Sequence, residues 1–188
     1  MDVKSTQSLS EFFHDAVTRA IRNQRVDTTE MTQFYLTNLL ADFARTPLDD
    51  EALAIKMCQG LSAAPGTRAQ KLREVGDTSL FVSGFFPDRL NRSLVDVDYY
   101  IGMGEVAYGY LSRMVRGRPG EAWRDVFLEL SDKFARFVEV LSEISQDSVT
   151  GSPVCVLRLY EKYLKTGSSA ALAKLRQRGF YVRRGTVH

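Results

Sequence analysis

Glu11 and His14 stand three residues apart in Glu11-Phe12-Phe13-His14. On a helix that spacing projects a carboxylate and an imidazole to one side, as in helical di-iron proteins. Such a centre needs a second motif of the same kind and two further glutamates. The chain has 2 histidines, and the other, His188, is its last residue. The full site therefore cannot be assembled. Glu11 also has a structural role, because Ser8 and Glu11 have the spacing of a capping box. We read the pair as structural and expect no metal and no catalytic residue. Scarce histidine equally weighs against Ser–His–Asp, Cys–His and multi-histidine zinc chemistry. The sequence carries no phosphate loop, nucleophile elbow, Cys-x-x-Cys or dinucleotide fingerprint, and no cofactor is expected.

A second constellation runs from Val95 to Glu105. A helix starting at Asp98 places Asp98, Gly102, Glu105, Gly109 and Ser112 on one side. Tyr99, Met103, Val106 and Tyr110 lie opposite. A glycine inside a helix costs about 1 kcal/mol relative to alanine. Helices tolerate it where another backbone or a ligand must come close. Glu105 is the only charge between Asp98 and Arg113. One reading is a small-ligand pocket formed by Asp98, Tyr99, Tyr100, Gly102, Glu105 and Tyr108. The other is a tightly packed helix with one structural ion pair. Arg73, Arg89 and Arg92 are the candidate partners by proximity in sequence.

The third constellation is electrostatic. The net charge of +2 conceals two unlike parts. Residues 1–148 carry 17 basic and 22 acidic side chains, and residues 149–188 carry 8 and 1. Lys174, Arg176, Arg178, Arg183 and Arg184 surround Phe180 and Tyr181. Arginines interleaved with aromatics suit phosphate contact and base stacking. They suit an acidic protein surface equally.

Elements that could carry these residues follow from the apolar spacing. Leu9, Phe12, Phe13, Ala16, Val17, Ala20 and Ile21 make one helical stripe. Asp27 and Glu30 predict the start of a second helix, with Met31, Phe34, Tyr35, Leu39, Leu40 and Phe43 as its buried face. Asp49 and Asp50 favour a third, using Leu53, Ala54, Met57, Cys58 and Leu61. After Ala64-Pro65-Gly66 a fourth runs from Thr67 to Phe86, despite Gly76 and Gly84. Ser79 to Ser83 alone could pass for a strand, and the flanking helical period argues against it. Trp123, Phe127, Leu130, Phe134, Phe137, Leu141 and Ile144 alternate steps of 4 and 3, an a/d seam. Val126 and Val138 widen that seam, which favours a core-facing helix over a coiled coil. Ser152-Pro153 restarts a helix, and a last one closes on Gly179 in a Schellman pattern.

The expected fold is all-α: a compact single-domain bundle of seven to eight helices with one long central helix over about 120–145. The 188 residues fit one domain, here 1–182, followed by a basic tail at 183–188. Cys58 and Cys155 read as reduced and buried, which points to a reducing compartment. No leader pattern and no run of 18 apolar residues occurs, so a cytoplasmic protein without a membrane span is expected. The leading functional expectation is a non-enzymatic adaptor or regulatory protein with a protein partner. Homodimerisation and nucleic-acid contact through the basic C-terminus stand beside it. The alternative is a small-ligand or cofactor binder around Tyr99–Tyr108 and Glu105.

Overall fold

The computed structural model describes residues 9–46, 48, 51–86, 96–115, 118–146 and 168–177, and among these every regular element is a helix. Helix α1 (Leu9–Asn23) buries Phe13, Ala16, Val17, Ala20 and Ile21, as its spacing predicts. It ends in a Schellman turn. The Val26 N–H donates to Ile21 O at 3.1 Å and the Arg25 N–H to Arg22 O at 3.2 Å. Arg25 takes the left-handed φ of 52° that this motif requires. Ile21 and Val26, both buried, make its hydrophobic contact.

Helix α2 (Glu30–Arg45) is capped by Thr29, whose hydroxyl accepts from the Thr32 N–H at 3.2 Å. Asp27 is not the cap. The buried face is also rotated from the predicted one. Thr32, Tyr35, Leu36, Leu39 and Leu40 are inside, while Met31 and Phe34 are 40% and 55% exposed. Threonine can be buried here because its hydroxyl finds a partner. Thr32 Oγ1 donates to Glu129 at 2.6 Å and Thr37 Oγ1 to Gln33 O at 2.9 Å.

Helix α3 (Leu53–Ser62) buries Leu53, Lys56, Met57 and Gly60, positions i, i+3, i+4 and i+7. Cys58 falls off that stripe and is exposed, contrary to the sequence reading. Cys155 lies outside the described residues. Helix α4 (Pro65–Phe85) begins with Pro at its first turn, and Ser79 to Ser83 belongs to it. Helix α5 (Val97–Met114) is capped by Asp96, not Asp98: Asp96 Oδ1 accepts from the Tyr99 N–H at 3.0 Å.

The heptad segment forms α6 (Arg118–Asp132) and α7 (Phe134–Gln146), meeting at Lys133. Main-chain bonds bridge the junction, from Lys133 N to Glu129 O and from Phe137 N to Lys133 O, both 3.0 Å. The predicted long helix is thus two helices on one line of hydrogen bonds. Phe127, Leu130, Phe134, Phe137, Leu141 and Ile144 face this chain's own core, and Trp123 sits at its margin. Helix α8 (Ser169–Gln177) carries Lys174 and Arg176 in its last turn. The Schellman pattern at Gly179, the Ser152-Pro153 start and the 183–188 tail fall outside the described residues.

Helix α4 lies at the centre, packed against α3, α5 and α7. α6 covers α5 and α2, and α1 closes on α2 and α7. Small residues set the spacing. A Cβ on Gly104 of α5 would lie 2.1 Å from the Phe134 ring, and one on Gly84 of α4 would lie 2.5 Å from Leu141 Cβ. Gly104 thus lets α7 drive its first aromatic ring against α5.

A polar seam ties the α1–α2 loop to α6 and α7. Glu129 Oε2 accepts from the Thr29 and Thr32 hydroxyls, and Glu129 Oε1 faces Lys133 Nζ at 3.0 Å. Lys133 Nζ also donates to Asp27 O, and Arg136 to Gln24 O at 2.9 Å. Asn23 and Gln24 donate to the Glu143 carboxylate. Burial pushes the Glu129 carboxyl up. Donation from Thr32, Lys133 and the Thr29 backbone outweighs it and holds the group below its ordinary value.

Candidate functional site

The polar run Arg73-Glu74-Val75-Gly76-Asp77-Thr78 of α4 turns one carboxylate inward. The Asp77 side chain is 17% exposed. Its Oδ1 accepts two phenolic hydroxyls, Tyr35 of α2 and Tyr108 of α5, the latter at 2.7 Å. Its Oδ2 lies 3.4 Å from Arg73 Nε, one helical turn earlier. The Arg73 guanidinium in turn sits 5.3 Å from the centroid of the Tyr35 ring. Three helices therefore converge on one carboxylate.

An aromatic box holds the two tyrosines. Tyr35 meets Tyr108, Trp123 and Phe127 edge-on at 6.3, 6.2 and 5.7 Å between centroids. Tyr108 stacks on Phe127 at 6.0 Å and tilts against Phe134 at the same distance. Each ring is fixed on several sides, so each hydroxyl arrives at Asp77 in one geometry. Gly76 completes the arrangement, since its missing side chain is where the Tyr108 ring lies.

Burial raises the Asp77 carboxyl above its ordinary value, opposed by the hydrogen bonds from Tyr35 and Tyr108 and by Arg73. Burial, reinforced by the Asp77 charge, lifts both tyrosine hydroxyls well above their ordinary range. They remain protonated donors at neutral pH.

Asp77 also lines a cleft of about 390 Å³ between α2, α3 and α4. Leu39, Asp42 and Phe43 come from α2 and Thr46 is its C-cap, followed by Leu48. Lys56 comes from α3, and Glu74, Asp77 and Thr78 from α4. The α2 residues and this cap stand at i, i+3, i+4 and i+7, and those of α4 at i, i+3 and i+4. Two helical stripes thus face each other across the opening. This volume lies within the range of small-molecule sites.

The residues singled out from the sequence are distributed unevenly around this centre. Tyr108 is fully buried and belongs to it. Tyr99 and Tyr100 are half-buried and pack edge to face at 5.6 Å. Asp98 is exposed. A Cβ on Gly102 would meet nothing within 4 Å, so no close approach uses that glycine. Glu105 is half-buried; its backbone oxygen accepts from Ser131 Oγ at 2.8 Å. The expected ion pair from its carboxylate to Arg73 is not formed, since Arg73 faces Asp77. Arg89 and Arg92 lie outside the described residues.

Lys174 and Arg176 are exposed on α8. Arg178, Phe180, Tyr181, Arg183 and Arg184 lie outside the described residues. His14 is exposed, and no group of three or more His, Cys, Asp or Glu among the described residues is placed to hold a metal.

Asp77 and the cleft were missed by sequence reasoning. Asp77 sits in a run that reads as the solvated face of α4. Two signals were present: Arg73 and Asp77 at i, i+4, and a glycine beside the carboxylate. Neither reveals Tyr35 or Tyr108, which arrive from 42 and 31 residues away.

No family model, curated protein or solved structure matches this chain. The site must therefore be interpreted from its own geometry. Among the described residues, no helix is long and apolar enough to cross a membrane.

Proposed function

We propose that this protein is a helical small-ligand binder whose site is the cleft between α2, α3 and α4. One observation carries the reading. The cleft has the volume of a ligand site, and its wall includes a largely buried carboxylate fixed by two tyrosine hydroxyls and an arginine. Such fixation orders a polar anchor before any ligand arrives. Of the residues anticipated around 99–108, this reading uses Tyr108 alone, as a buried donor that fixes Asp77 and not as a wall of the cleft. A cytoplasmic setting suits the free, exposed Cys58 thiol, which a reducing compartment preserves.

A metabolite library screened by thermal shift tests the reading, with Thr78→Trp as the control that fills the cleft. A true ligand at 100 times its Kd adds about 2.7 kcal/mol of stability. Its shift should be seen in the wild type and lost in the folded variant. Ligands that shift both proteins equally would place the site elsewhere.

A second reading, an adaptor or regulatory protein with a protein partner, is favoured by the charge division between residues 1–148 and 149–188. Nucleic-acid contact and homodimerisation belong to the same class. Deleting the residues after Gly179 should weaken partner capture while helicity is retained. An unchanged set of captured partners, with and without nuclease, would remove this reading.

A further inference from the structure

Resting on the cleft reading, we propose that the ligand is an organic cation: a protonated amine carrying a small apolar group. The cleft wall holds three carboxylates, Asp42, Glu74 and Asp77, against one ammonium, Lys56. Lys56 is 5% exposed and already engaged within the protein. Asp42 faces Arg45 at 3.9 Å and Asp77 faces Arg73 at 3.4 Å. Glu74 differs. The partner of its carboxylate is the neutral Gln70 amide at 3.2 Å, and no described cation pairs with it.

Glu74, Asp77 and Thr78 share one face of α4, so an ammonium between them meets two carboxylates and a hydroxyl acceptor. An anionic ligand meets the same carboxylates as like charges. The opposite wall carries a rigid apolar patch beside Asp42 and Thr46. Phe43 stacks on Phe81 at 4.3 Å with 9° between ring planes, and Leu39 extends the wall. The Glu74 carboxylate, with no described cation paired to it, on one stripe and a fixed ring on the other select a molecule with an amine at one end and an apolar body at the other. The carboxylates do not converge as a metal site does, which favours an organic cation over a metal ion.

The test titrates the folded protein with three probes of one shape: phenethylamine, hydrocinnamate and phenethyl alcohol. Backbone amide NMR shifts report affinity and place. Phenethylamine should move the amides of Leu39, Glu74 and Thr78 and bind best of the three. Glu74→Gln, its amide spectrum otherwise unchanged, should weaken it about tenfold, the worth of one charge-assisted bond. If hydrocinnamate or phenethyl alcohol binds at these amides as well as the amine, or Glu74→Gln leaves the amine unaffected, the cation assignment fails and the cleft reading stands. If no probe moves these amides, the assignment fails too; the library screen with Thr78→Trp then decides the cleft reading independently.

Discussion

The backbone of Gly76 lies directly against the ring of Tyr108: a Cβ added there would sit 2.6 Å from the ring's Cε1 atom. The same ring delivers the hydroxyl that Asp77 accepts at 2.7 Å. A residue without a side chain thus sets the position of a hydrogen bond at its neighbour.

Two glycine-to-alanine substitutions should therefore have opposite signs. At Gly76, overpacking of about 1–3 kcal/mol and a displaced charge-assisted bond of about 1.5–3 kcal/mol outweigh the about 1 kcal/mol gain in helix propensity. A net loss of about 1.5–5 kcal/mol is expected. At Gly102, where a Cβ meets nothing within 4 Å, the propensity gain of about 0.5–1 kcal/mol should appear undiminished. Urea denaturation of both variants checks the pair.

Asp77 and Glu129 should push stability in opposite directions with pH. Burial raises Asp77, so its contribution is fully present below about pH 4 and is lost as pH rises through its folded-state value. Glu129 is lowered by its donors, so its contribution is present above about pH 4 and is lost as pH falls through its folded-state value. Asp77→Asn should flatten the first dependence and Glu129→Gln the second. Denaturation midpoints of each variant against wild type, from acid to neutral pH, separate the two. Identical pH profiles for all three proteins would contradict both assignments.

At neutral pH, Glu129→Gln should also cost about 1–2 kcal/mol, because it weakens the Thr32 bond and removes the ionic one to Lys133. Hydrogen exchange should rise first at the amides of Thr29 to Gln33, where the α1–α2 loop enters α2. A uniform rise across the bundle would mean that Glu129 has no local role.

Arg25→Gly should stabilise the protein. Arg25 holds φ at 52°, the left-handed region that glycine occupies without strain. The strain relieved exceeds glycine's added chain entropy, giving a gain of about 0.5–1 kcal/mol. A rise in melting temperature is the readout, and Arg25→Ala serves as the comparison that keeps the strain.

The helical class was legible because α1 and the segment over α6 and α7 carry apolar stripes that no other period explains. The face of α2 was legible only in part. Tyr35, Leu39 and Leu40 are buried as expected, but Met31 and Phe34 are exposed and Thr32 is buried, because Glu129 comes to meet its hydroxyl as Asp77 meets that of Tyr35. Side-chain polarity along one helix cannot register partners 97 and 42 residues away. Lys56 and Cys58 illustrate the same gap: position on the α3 stripe, not polarity, decided which went inside. Tyr108 was singled out, but for a pocket on α5 rather than for its bond to α4. Asp77 was invisible for the converse reason, since a charged residue among charged neighbours looks like surface.

The stitching of the α1–α2 loop to Glu129, Lys133, Arg136 and Glu143 spans 97 to 120 residues of sequence. During synthesis, α1 and α2 emerge and pair while α7, which also packs on α1, is still unmade. At translation speeds of about 5–20 residues per second, that apolar hairpin waits roughly 5–20 s for its lid. The α1 surface that α7 covers thus stays open throughout that interval, within reach of a chaperone.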